Sequence, residues 1–86
     1  MLQRHPQTPA TAVPLSTLNV GESAVVVELT STPSTTYHLI ELGVTPGQRV
    51  KVCRRAPLGG PVEIELLSYR LALRLKDAET LWVTRV

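Results

Sequence analysis

Few side chains in this sequence could do chemistry, and they are scattered. His38 and Glu41 stand three residues apart, a spacing that on a helix brings an imidazole and a carboxylate onto one face, where both could ligate a transition metal. Two ligands fall short of the three or four that make a specific site, so the pair is a weak metal candidate and no metal is expected. His5 adds little, because it lies where no regular structure is predicted. Cys53 is the one cysteine, with no base or motif beside it to make it a nucleophile, and a packed or half-exposed thiol is expected. The sequence holds no glycine-rich phosphate loop, no paired-carboxylate motif and no G-x-S-x-G elbow. These residues predict no catalytic site, no bound cofactor and no enzyme.

Recognition chemistry is better supplied than catalytic chemistry. The formal net charge is +2, yet residues 44–60 concentrate Arg49, Lys51, Arg54 and Arg55 with no acid among them. Such a block suits phosphates, an acidic protein surface or anionic lipid, and it also suits a solvated strand face. Arg54 and Arg55 precede a loop, Ala56-Pro57-Leu58-Gly59-Gly60-Pro61, that is too long and glycine-rich for a tight hairpin and should expose Leu58 near its tip. Strand parity turns Trp82 outward if Leu81 and Val83 face in. Because Trp and Arg most often anchor interfaces, Arg54, Arg55, Leu58 and Trp82 are the candidate partner-binding residues.

The elements that must hold these residues follow from period and punctuation. Eighty-six residues make one small domain with a modest core. Phe is absent and Trp82, Tyr37 and Tyr69 are the only aromatics, so the core must be aliphatic and a base-stacking platform is poorly supplied. A lone cysteine forms no internal disulfide, charged residues interrupt every long apolar window, and residues 1–14 lack an apolar signal region. These features predict a cytoplasmic protein with no direct membrane insertion. Pro6, Pro9 and Pro14 mark residues 1–14 as a mobile arm, followed by a domain over 15–86.

Within that domain, Leu15 to Leu18 predict a short turn and Ala24 to Leu29 a β-branched strand. Ser34 or Thr35 can cap a two-turn helix that ends at Leu42, with Gly43 in the left-handed position and Tyr37, Leu39, Ile40 and Leu42 turned to the core. Pro46-Gly47 fits a type II turn. Alternation then predicts strands around Val50 and Val52, over 62–66, from Tyr69 to Leu75 and from Leu81 to Arg85, with one helical turn at 76–80. Glu63 and Glu65 should form cross-strand ion pairs with flanking basic strands. The fold class expected is mainly β: a small, partly open barrel of about five strands with one short α-helix between strands 1 and 2.

Three stretches taken together resemble a known family. Leu39-Ile40-Glu41-Leu42-Gly43-Val44-Thr45-Pro46-Gly47, then Arg54-Arg55-Ala56-Pro57-Leu58-Gly59-Gly60-Pro61, then Tyr69-Arg70-Leu71-Ala72-Leu73-Arg74 are similar to the FeoA family of small bacterial ferrous iron transport proteins, over roughly residues 15–86. The resemblance implies an SH3-like barrel and a cytosolic accessory role, docking on the membrane Fe(II) transporter FeoB, which carries a guanine-nucleotide-binding domain, to modulate iron transport. Two other readings stay open: a small-barrel nucleic-acid binder using Arg49, Lys51, Arg54 and Arg55, though no nucleic acid is expected, and a direct transition-metal binder through His38 and Glu41. Weak self-association through an open sheet edge is a further possibility.

Overall fold

The computed structural model describes residues 10–86; the first nine positions of the expected arm, His5 among them, lie outside the described residues. Six strands form one antiparallel sheet: β1 (Val13–Pro14), β2 (Ser23–Leu29), β3 (Arg49–Arg55), β4 (Val62–Leu66), β5 (Tyr69–Leu73) and β6 (Leu81–Arg85). Their order is β1-β6-β2-β3-β4-β5, so β1 and β5 are the two edges and the barrel is not closed. Two helices, α1 (Pro33–Glu41) and α2 (Leu75–Ala78), and a 3-10 turn at Leu15–Thr17 complete the fold. The expected mainly β, partly open barrel is what forms, with six strands in place of about five.

The added strand lies inside the expected arm. Ala12 is buried, and Val13 and Pro14 pair with Val83 and Trp82 of β6, so the ordered chain starts before residue 15. As a result α1 falls between the second and third strands rather than the first and second. A two-residue edge strand has no period of its own, and only pairing with β6 makes it a strand.

One curved strand brings the two halves of the sheet together. Ser23, Ala24 and Val25 of β2 pair with Lys51, Val50 and Arg49, while Ala24 to Leu29 pair with Arg85 to Leu81 across a bulge between Val26 and Glu28. A bulge adds bend and twist, which lets one strand serve both sides of a small barrel. Alternation then packs Val26, Val50, Val52, Ile64, Leu66 and Val83 into an aliphatic core, closed at one end by Leu15 and Leu18.

Helix α1 starts earlier than its hydroxyls suggest. Thr32, not Ser34 or Thr35, is the N-cap: its Oγ1 accepts from Thr35 N at 3.4 Å, and Pro33 occupies the first turn, where its missing N–H costs nothing. At the other end Gly43 has φ 95°, with Gly43 N donating to Ile40 O and Val44 N to Leu39 O, both at 2.9 Å, which is a Schellman closure. The Tyr69 hydroxyl donates to Leu42 O, and a Cβ on Gly43 would collide with it.

Only one ridge of α1 reaches the core. Leu39 is buried and Leu42 half-buried, whereas Tyr37 is 67% and Ile40 41% exposed, against the expectation that all four face inward. Two residues along a helix rotate the side chain by about 200°, so Tyr37 and Leu39 lie on opposite faces.

Candidate functional site

The loop between β3 and β4 reverses through Pro57 to Gly60, with Gly60 N donating to Pro57 O at 3.2 Å. Its central residues have φ 59° at Leu58 and 74° at Gly59. Paired positive φ values define a type I′ turn, whose first position ordinarily takes Asn, Asp or Gly. Leu58 instead holds a left-handed conformation and is fully exposed, as the loop's composition predicted. Strain and exposure in one apolar side chain are two costs with no structural return.

The two arginines before this loop separate. Arg54 stands opposite Glu63 across the β3–β4 ladder, next to a register shift at Cys53. Its exposed side chain lines a shallow groove with Ala56, Pro61, Glu63 and Ala72. Arg55 turns the other way: its Nη1 donates to Ser16 O at 2.7 Å and Leu18 O at 2.8 Å, tying the 3-10 turn to the end of β3. The guanidinium expected to greet a partner is therefore engaged with backbone carbonyls. Cys53 is half-buried at the bulge, its Sγ 3.7 Å from Lys51 O.

Trp82 requires a correction. Leu81 and Val83 do face the core, so parity is right, yet Trp82 is only 6% exposed. Its register partners are Pro14 on one side and Glu28 on the other, and its Nε1–H donates to Thr30 Oγ1 at 3.1 Å. The segment expected to be a mobile arm supplies one of those flanks. Trp82 is a structural residue here, with no outward face to offer.

His38 and Glu41 are exposed on α1, and the described residues contain no group of three or more His, Cys, Asp or Glu placed to hold a metal. His38 instead borders a groove between α1 and β5, lined also by Leu39, Leu42, Ala72, Leu73, Arg74 and Asp77. Asp77 is the one buried charged residue among those described, 7% exposed. Its Oδ2 accepts from Arg74 Nε at 3.1 Å, while its Oδ1 is buried without a partner. Sequence reasoning missed Asp77; the available signal was an acid three residues after Arg74 at the start of a helical turn.

The basic strand is locally neutralised. In register, Lys51 faces Glu65 and Glu65 faces Arg70, while Arg54 faces Glu63. Arg70 Nη1 reaches Glu63 Oε1 at 3.5 Å, as the alternation predicted. Stripes of opposite sign across three strands fix register and leave no continuous positive face. Elsewhere the Glu22 carboxyl is held below its ordinary range, chiefly by the Asn19 N–H that donates to it, with desolvation opposing and Arg85 adding to the effect.

Comparison with known proteins gives this geometry relatives. The family model described as the FeoA domain matches residues 13–85. A Porphyromonas gingivalis protein named as an Fe(2+) transport protein A/Fe(2+) transporter FeoB fusion is 33% identical over 64 residues. That match covers 74% of this chain and 8% of the fusion, so the chain spans less than a tenth of this relative. The solution structure of a Chlorobium tepidum FeoA protein is 34% identical, covers 86% of this chain and 70% of that one, and superposes with a TM-score of 0.81. A Stenotrophomonas maltophilia FeoA complexed with zinc, described as a prokaryotic SH3 domain protein, is 32% identical over 80% of this chain and 86% of that one, with a TM-score of 0.67.

Proposed function

The chain belongs to the FeoA family, and from that premise we propose that it is a non-enzymatic adaptor that docks on the FeoB transporter and modulates Fe(II) transport. The family is associated with ferrous iron transport, and the observation that carries the docking reading is the fusion of a similar domain to FeoB in one polypeptide. Fusion keeps two modules at millimolar effective concentration, an arrangement that serves modules acting on each other. The surface best suited to the contact is the β3–β4 loop. Leu58 is an apolar tip held out at a conformational cost, and Arg54 beside it supplies a charge that Glu63 only partly answers. Trp82, buried in the fold, and Arg55, exposed but with its guanidinium bonded to the Ser16 and Leu18 carbonyls, are not part of that surface.

Two observations weigh against the other readings. Glu63 and Glu65 interleave the cations that a phosphate backbone would need as a continuous stripe. His38 and Glu41 have no third ligand among the described residues.

The test is binding of the purified chain to full-length FeoB in detergent and to its isolated guanine-nucleotide-binding domain, followed by Fe(II) flux into proteoliposomes with and without the chain. Leu58→Asp and Arg54→Glu are expected to weaken binding about tenfold or more, while Arg49→Glu leaves it within about twofold. Absence of binding to either form at low salt, with and without nucleotide, sinks the adaptor reading.

A further inference from the structure

The sheet edge at β5 is open in a specific way. The two-residue Leu67–Ser68 turn closes the β4–β5 hairpin at the pair Leu66 and Tyr69. In such a hairpin the closing pair exchanges both backbone bonds and every second pair exchanges none. The unbonded positions of β5 are therefore Arg70 and Ala72, whose N–H and C=O groups point away from β4. No other element of the described residues pairs with that side, because β5 ends the sheet order.

Depressions flank this edge on both faces. On the outer face lies the groove of Arg54, Ala56, Pro61 and Glu63. On the other lies the groove between β5 and α1, with His38, Leu39, Leu42 and Asp77. Ala72 borders both, and its small side chain leaves both accessible from the same edge. An added strand sends alternate side chains to opposite faces of a sheet, so consecutive residues would enter the two depressions in turn.

Asp77 says what one of those residues should be. Its Oδ1 is a buried acceptor without a partner, and burial of such an atom favours a donor brought by a ligand. Its charge is already answered by Arg74 through Oδ2, so a cationic side chain gains little there. A neutral donor, Ser, Thr, Asn or Gln, fits. On the outer face, Arg54 favours an apolar or acidic residue.

We propose that β5 receives an extended segment of the FeoB soluble region by antiparallel or parallel strand addition at Arg70 and Ala72, with a neutral donor side chain directed to Asp77. This rests on the adaptor reading and adds to it the edge that makes the contact, continuous with the Leu58–Arg54 surface through the shared groove. A second copy is a poorer occupant, since pairing two β5 edges gathers the Arg70 and Arg74 side chains of both copies onto one ribbon, where like charges oppose pairing.

Hydrogen exchange of the full chain, alone and bound to full-length FeoB, reads the proposal directly. The Arg70 and Ala72 amides are expected to exchange about tenfold more slowly in the complex. Ala72→Pro removes an N–H that β4 does not use, so it should fold normally and weaken FeoB binding about tenfold. Should that variant fail to fold, exchange in the unmodified chain decides alone. A complex that forms with Arg70 and Ala72 unprotected, or protection that appears on self-association without FeoB, overturns the strand-addition proposal and leaves the adaptor reading standing. No complex at all overturns both.

Discussion

Arg54 and Arg55 are adjacent in sequence and opposite in use. Arg55 satisfies two carbonyls that end a 3-10 turn, and hydrogen bonds from a charged donor are worth more than neutral ones. Arg55→Ala should therefore destabilise the fold by about 1–2 kcal/mol, whereas Arg54→Ala should stay within about 0.5 kcal/mol and act on binding alone. Urea melts of both variants check this, and equal losses would show that the carbonyl contacts contribute nothing particular. Gly43 is constrained twice, by its positive φ and by the Tyr69 hydroxyl packed where a Cβ would be. Gly43→Ala should cost more than the roughly 1 kcal/mol of a left-handed alanine alone, and Tyr69→Phe in the same background should recover part of the excess. A double-mutant cycle in thermal melts measures that recovery; no recovery would place the whole cost in the backbone.

At the scale of elements, what was legible in the sequence is what local rules control. β-branched density marked β2 and period-2 alternation marked β3 to β5, where one face of the repeat is the more buried, and Gly43 and Gly47 marked turns that need positive φ. Tertiary pairing decided the rest. Val13 and Pro14 became a strand only through β6, Trp82 was covered by a segment whose composition reads as an arm, and the carbonyls that hold Arg55 are 37 and 39 residues away in the chain. No local signal encodes such contacts. The candidate site divides the same way: Leu58 was placed by its loop, while the open side of β5 and the orphan oxygen of Asp77 emerge only from topology. The β4–β5 hairpin tests the local half. Leu67 sits there at φ 42° and 82% exposed, where Asn is tolerated better than a large apolar side chain. Leu67→Asn should raise stability by about 0.5–1 kcal/mol, and the melting temperature by a few degrees. A lower melting temperature would mean that Leu67 makes packing contributions its exposure does not suggest.

For the molecule as a whole, the turn before β2 and the last strand are joined by one carboxylate. Glu22 accepts from Asn19 N through Oε1 at 2.7 Å and from Arg85 Nε through Oε2 at 3.1 Å, linking the turn before β2 to the end of β6. These donors hold its carboxyl below the ordinary 4.5, so in mild acid the unfolded chain binds the proton more readily than the folded one. Stability then rises with pH across that window: the contribution of Glu22 is fully present above 4.5 and disappears as the pH falls through the lower folded value. Other carboxylates titrate nearby, so the informative quantity is the gap between the native chain and Glu22→Gln, which keeps the shape but not the charge. Trp82, the single tryptophan, reports unfolding by its fluorescence. The gap should be widest well above 4.5 and should narrow and then close as the pH falls through the lowered folded value, and added salt should shrink it because the Arg85 pair is partly exposed. A gap that stays constant across that range would show that Glu22 acts by shape, and would remove ionisation from the account of how the turn before β2 is tied to β6.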